Sequence, residues 1–213
     1  MEIIRYAELR AEPWRNSGGV TRELASHPKA ASAQDGAWDW RVSIAEVSKA
    51  GAFSAFPGMD RVLTVIEGEL LLLTVDGAEH PLEKYRPFRF SGEADTASAL
   101  PTGDIRDLNV ITRNGAFKGY TSIIELSKKR AHPVFEGQLG ILLQGQATVS
   151  PSTAGAESGA SGEGEGEAPA AAPGSAEPET LGRYDAVVGS DDRTPEILGR
   201  GFLAVVSIDR VTG

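Results

Sequence analysis

The sequence predicts an all-β protein made of two similar β domains in tandem, and three observations lead there. Helical periodicity is missing almost throughout, while period-two alternation of apolar and polar residues recurs from end to end. The stretch Phe53–Gly77 (FSAFPGMDRVLTVIEGELLLLTVDG) reads as two strands linked by tight turns. After Gly115 the pattern starts again, with LGILLQGQATVS (Leu139–Ser150) repeating the strand–Gly–strand unit of LTVIEGELLLLT (Leu63–Thr74).

Residues 1–10 form an edge strand, Glu12–Gly19 a loop closed by a flexible turn, and Val20–Ser26 a short strand. His27–Ala37 is a polar loop. Trp38–Val47 then alternates, with Trp38, Trp40, Val42 and Ile44 facing the core and Asp39, Arg41, Ser43 and Ala45 on the other side. Phe56-Pro57-Gly58-Met59 is a turn, since Pro presets φ for the first corner and Gly accepts positive φ at the second. In the strand that follows, Arg61, Leu63, Val65 and Glu67 share one face and Val62, Thr64 and Ile66 the other. Leu70–Val75 is apolar on both sides and is expected to be buried on both, and Asp76-Gly77 is a hairpin dipeptide. Short strands follow at His80–Glu83 and Phe88–Phe90, and Leu100–Arg113 is a strand with Asp107, Asn109 and Arg113 opposite Leu108 and Val110. Tyr120–Leu126 is the next strand, at the start of the second half.

Landmarks of the repeat set the domain limits. Gly68 and Gly145, Tyr85 and Tyr184, and Arg113 and Arg210 are 77, 99 and 97 positions apart, so about 20 residues are inserted between the first landmark and the second. That places one domain at 1–115 and the other at 116–213, the latter interrupted by a Gly/Ala/Pro/Glu-rich insert at about 151–178. The insert has no aromatic and no large aliphatic residue, so it is expected to be disordered. Its six Glu, from Glu157 to Glu179, account for most of the acidity: without them the net charge moves from −9 to −3.

With 213 residues and 40% hydrophobic content, either domain can bury a core. The absence of Cys excludes disulfides, iron–sulfur clusters and thiolate zinc. His27, His80 and His132 lie far apart in sequence, so no metal site is expected. Neither a secretory signal at MEIIRYAELR nor an apolar run of membrane-spanning length is present, and a cytoplasmic protein without membrane or nucleic-acid partners is the expectation. No nucleophile motif and no phosphate or dinucleotide loop occurs, and no cofactor is expected. An enzyme reading would draw on Glu46, Asp107 or His80 as general base. An interaction-factor reading would draw on the acidic insert. Polar residues at strand ends, Arg61 foremost, are the remaining signal. A guanidinium leaving water needs a partner, so Arg61 either pairs with Glu67, Glu46 or Asp107 or holds a ligand carboxylate. Trp14, Trp38 and Trp40 read as packing residues, and Asn16, before Ser-Gly-Gly, suits an Asx-turn.

PWRNSGGVTRE (Pro13–Glu23), WDWRVSIAEV (Trp38–Val47), AFSAFPGMDRVLTVIEG (Ala52–Gly68) and DLNVITR (Asp107–Arg113) resemble, in order and spacing, the successive blocks of the HutD (Ves) family. The resemblance implies a bicupin, two tandem jelly-roll β-barrels with few or no long helices, without the metal-binding histidines of many cupins. It further implies a role in regulating histidine utilisation through a small carboxylate ligand such as urocanate or formyl-glutamate, with no firm enzymatic activity. The implied pocket lies in the N-terminal barrel, and Asn16, Arg41, Phe56, Arg61, Asp107 and Asn109 fall in the shared blocks. Ser17 stands where the family pattern has glycine. Exposed cupin strands often pair between copies, so a homodimer is the assembly that the analogy allows.

Overall fold

The computed structural model describes residues 1–28, 38–152 and 177–212. Most of the acidic insert, and residues 29–37 of the polar loop, lie outside the described residues. Strands follow in the order β1 (Glu2–Ile4), β2 (Glu12–Pro13), β3 (Gly19–His27), β4 (Trp40–Val47), β5 (Gly51–Ala52), β6 (Met59–Glu67), β7 (Leu70–Val75), β8 (Ala78–Glu83), β9 (Phe88–Ser91), β10 (Thr96–Ala99) and β11 (Ile105–Arg113). The second half supplies β12 (Phe117–Leu126), β13 (His132–Pro133), β14 (Gln138–Pro151), β15 (Glu179–Leu181), β16 (Ala186–Val188) and β17 (Pro195–Arg210). Among the described residues the only helical element is a 3₁₀ turn at Tyr6–Glu8, so the expected all-β class holds.

These strands make three sheets. A six-stranded sheet, ordered β2-β3-β4-β11-β6-β9, lies between a four-stranded sheet (β5-β10-β7-β8) and a seven-stranded sheet built on β1-β16-β14-β17-β12. Period-two alternation explains the layering, because each strand of the middle sheet presents one face to each neighbour. Val42, Ile44, Val62, Leu108 and Val110 pack on Leu139, Ile141, Ala204 and Val206 of the seven-stranded sheet. Ala45, Leu63 and Val65 pack the other way, on Leu71, Leu73 and Leu82 of the four-stranded sheet. The expectation for Leu70–Val75 is corrected here. Leu71 and Leu73 are buried, but Leu70 and Leu72 are half-buried, because among the described residues no further sheet is layered over the outer face of the four-stranded sheet. The first strand is an edge strand as expected, but only over residues 2–4, and it pairs with β16 in the seven-stranded sheet.

Turn chemistry follows the residues. Gly58 has φ +73° and Met59 N–H donates to Phe56 C=O at 3.2 Å, while Asp76 and Gly77 both adopt positive φ between β7 and β8.

The halves share a backbone frame. Tyr85 and Tyr184 are both left-handed, with φ of 65° and 68°, and their N–H groups donate to Val65 C=O at 2.8 Å and Leu142 C=O at 2.6 Å. Immediately after each of these acceptors the register slips by one residue, at Ile66 opposite Asp107 and Arg106, and at Leu143 opposite Leu203 and Phe202. Val65 therefore corresponds to Leu142 and Asp107 to Leu203, which sets Arg113 against Asp209 rather than Arg210, one residue away from the sequence alignment. What fills the frame differs. Leu142, Leu203 and Val205 pack with Val134, Val149, Val187 and Ile197 in an apolar cluster on the far face of the seven-stranded sheet. A Cβ on Gly140 would come within 2.9 Å of Ile197 and 3.0 Å of Val134, so this interior is closed.

That cluster exists because β14 and β17 double back. Gly145 and Gly201 are paired, with φ of +103° and +112°, and residues on both sides of the break join one core. A Cβ on Gly145 would sit 1.9 Å from the Arg200 carbonyl oxygen. Gly145→Ala is expected to lower the melting temperature by several degrees, since backbone strain of this kind costs about 1–3 kcal/mol. Gly77→Ala, at positive φ in open space, is expected to lower it less in the same thermal melt.

Candidate functional site

The middle sheet is polar where the four-stranded sheet does not cover it. Cross-strand register brings Arg61 beside Ile111, Asn109 beside Ser43 and Asp107 beside Ala45, all on the face toward the four-stranded sheet. Above them a cavity of about 450 Å³ is walled by Ala52–Ser54 and Phe56 on one side and by Glu12–Asn16 with Thr21 on the other. Arg41, Ser43 and Ile111 complete its floor. Asn16, Arg41, Phe56, Arg61, Asp107 and Asn109, singled out from the sequence, all line this one space.

Arg61 dominates it. The residue is 5% exposed, and among the described residues it makes no ion pair. Its Nη2 donates to Asn109 Oδ1 at 2.9 Å and its Nη1 to the Ser54 carbonyl at 3.3 Å, while Nε is buried without a partner. The guanidinium lies 4.9, 5.2 and 5.6 Å from the ring centres of Phe90, Phe56 and Phe53, whose negative faces replace part of its lost hydration. Burial still pulls its pKa down to about 10, against the opposing attraction of Asp107, and it remains a cation at neutral pH.

Asp107 is fully buried. Asn109 Nδ2 donates to its Oδ1, so a single amide links carboxyl and guanidinium, and Oδ2 has no partner. Desolvation raises the carboxyl to about 7, with the charge of Arg61 and the Asn109 hydrogen bond pulling the other way.

Expected partners for Arg61 are corrected in part. Glu46 lies on the opposite face of β4 and pairs with Arg22 and Arg106, the latter at 3.3 Å. Glu67 is turned to that same face by the bulge at Ile66, and there it takes Arg106, Arg183 at 3.4 Å and the Tyr184 hydroxyl at 2.7 Å. Glu46 and Glu67, each already paired with arginines, border a smaller cavity of about 370 Å³. Arg41 is matched as well, by Glu23 at 2.8 Å and Glu12 at 3.8 Å. His80 packs against Phe88 with the rings tilted, and it lines neither cavity.

Asn16 makes the expected Asx-turn, its Oδ1 accepting from Gly18 N–H at 3.0 Å. Ser17 sits at φ 53°, a left-handed conformation that glycine adopts more easily, which accounts for the family pattern there. Trp38 packs on Phe56 and Trp40 on His27, but Trp14 is also cavity wall, packed on Phe53 with its Nε1 donating to Thr21 Oγ1 at 2.8 Å. Phe53 and Ser43 carry no signal of their own in the sequence reading, whereas Thr21 is one of its polar strand-end residues. Period two along β4 is the signal that puts Ser43 on the face of Arg41.

A model of the HutD family matches residues 6–205. The chain belongs to the HutD family. It is 36% identical over 127 residues to Protein Ves of Citrobacter koseri, covering 57% of this chain and 64% of that protein. It is 38% identical over 112 residues to an uncharacterized 21.2 kDa protein in the hutC 3′ region of Pseudomonas putida, covering 52% of this chain and 57% of that one. The matched segments thus span less than two thirds of these curated relatives. The structure of HutD from Pseudomonas fluorescens SBW25, in a formate condition, superposes with a TM-score of 0.71 at 25% identity over 99% of both chains. A Cupin 2 conserved barrel domain protein from Leptotrichia buccalis, 7% identical, superposes at 0.53 over 99% of this chain and 96% of its own, so the HutD chain has the bicupin fold that its resemblance implied. Cupin metal sites rest on histidines. The HutD cavity has none, and a cation is already fixed at its base, so these residues do not fit a metal.

A carboxyl whose folded pKa is raised stabilises the fold below its unfolded pKa, and that contribution is lost as pH rises through the folded value. Wild-type stability relative to Asp107→Asn is therefore expected to fall from about pH 4 to about pH 7 and then level off, measured as the difference in chemical-denaturation midpoints.

Proposed function

We propose that this HutD chain is a metal-independent binding protein that takes a small carboxylate in its N-terminal cavity, and that it regulates histidine utilisation by sensing a pathway intermediate of the urocanate or formyl-glutamate type. The observation that carries this reading is Arg61: a buried guanidinium in the cavity lining, with no carboxylate in contact and an Nε without a partner. Elsewhere in the sheet every arginine that leaves water has a glutamate or aspartate in contact, including Arg22, Arg41 and Arg106. A ligand carboxylate supplies what Arg61 lacks, with charge-assisted hydrogen bonds.

The remaining walls suit such a molecule. About 450 Å³ is within the range of small-molecule sites, and Trp14, Phe53 and Phe56 offer flat apolar surface to a planar or short aliphatic body. Asn16, Arg15 and Arg41 add polar groups to the lining. In the second half, Leu203 and Val205 stand where Asp107 and Asn109 stand in the first. The link to histidine utilisation rests on family membership and on the Pseudomonas putida relative placed beside hutC.

A thermal-shift series with urocanate, formyl-glutamate and glutamate tests this. A ligand at a hundred times its Kd is expected to stabilise by about 2.7 kcal/mol, a shift of several degrees at this chain length. Arg61→Ala is expected to weaken binding by about 1.5–3 kcal/mol, roughly tenfold to a hundredfold or more, while circular dichroism reports an intact fold. An unfolded variant would make Arg61 structural, and consumption of the added compound would replace the binding reading with an enzymatic one.

A further inference from the structure

Two side chains that line the cavity each carry a buried polar atom without a partner: Nε of Arg61 and Oδ2 of Asp107. They belong to one chain of contacts, because Asn109 accepts from Arg61 through Oδ1 and donates to Asp107 through Nδ2. That chain uses up one side of each group. The other sides remain for a ligand. Arg61 offers a donor, whereas Asp107 offers an acceptor when ionised and a donor when neutral.

A carboxylate brings only acceptors. Its oxygens can meet Arg61 Nε, but against an ionised Asp107 they would face a second anion in a space whose one buried cation is Arg61. Charge balance gives the same result. The other charged groups lining the cavity are Glu12 before the β3 strand, Arg15 in the following loop, and Arg41 on β4. Arg41 is neutralised by Glu23 of β3 and by Glu12, and Arg15 is exposed, its charge screened by water. The wall contributed by Ala52–Phe56 and the flanking Phe90 of β9 carries no charge. Arg61 can therefore balance one carboxylate at a time: Asp107 when the cavity is empty, the ligand when it is full.

We propose that carboxylate binding in this cavity is coupled to uptake of one proton from solvent by Asp107 Oδ2, which then donates to the bound carboxylate. This rests on the reading of the cavity as a carboxylate site. The coupling makes the protein respond to ligand and pH together, with the strongest binding on the acid side. The raised pKa of Asp107, about 7 in the empty protein, puts the exchange within the range of ordinary cellular change.

Formate is the probe, being the smallest carboxylate and carrying no second titrating group. Isothermal titration of the wild-type protein with formate, in buffers of different ionisation enthalpy, reads the protons taken up per formate bound. Uptake is expected to approach one at about pH 8 and to fall toward zero at about pH 5.5, with Kd rising by up to about tenfold per pH unit above pH 7. Asp107→Asn, which keeps a donor without a titrating proton, is expected to bind formate with a flat profile near the wild-type acid affinity. Formate binding without proton uptake at about pH 8 would overturn the coupling and leave the carboxylate site standing. No formate binding at any pH would overturn both. A variant that retained the wild-type slope would place the titrating group elsewhere and overturn the assignment to Asp107.

Discussion

Holding a guanidinium inside a β-sheet face is the constraint on which the site depends. Arg61 has lost nearly all its water, and the fold compensates without giving it a direct counter-ion. Three phenylalanine rings surround it, and Asn109 spans the gap to Asp107. The bulge at Ile66 turns Glu67, its most obvious partner on the same strand, to the other face of the sheet. A direct ion pair would have been a simpler way to bury the charge, and the intersheet cluster around Glu46 and Glu67 shows this chain building such pairs elsewhere. What sets the cavity apart is that its cation is stabilised but not saturated.

The two halves give an internal control. Both carry the left-handed tyrosine, the bulge one residue beyond its acceptor, and the glycine after that. Backbone geometry alone therefore does not make a site. In the second half the corresponding strand positions are apolar, and the interior is packed until even one added carbon at Gly140 would crowd its neighbours. One half has become a scaffold, whose β14 and β17 brace the back of the middle sheet through Ile141 and Val206, while the other keeps a polar interior.

Much of this was legible in the sequence because it is local. Alternation along Trp38–Val47 and Asp107–Arg113 gave the faces on which Arg41, Asp107 and Asn109 lie, and Pro57-Gly58 and Asp76-Gly77 gave the turns. The repeat was visible through Gly68 and Gly145, which need positive φ, and through Tyr85 and Tyr184, though the last strand was matched one residue out because no backbone landmark marks it. Non-local choices were not legible. A bulge depends on the partner strand, so period two put Glu67 beside Arg61. Burial of a strand depends on what covers it, so an unbroken run of leucines in β7 suggested two covered faces where there is one. Trp14 reads as packing in the sequence, and only the tertiary arrangement makes its packed ring a cavity wall as well.

The most direct measurement is a crystal structure of the protein grown with urocanate. The account predicts one molecule per chain, in the N-terminal cavity, with its carboxylate in hydrogen-bond contact with Arg61 Nε and its ring between Phe53, Phe56 and Trp14. Density for the ligand in the intersheet cleft beside Glu46 and Glu67, or a carboxylate turned away from Arg61 toward solvent, would contradict it.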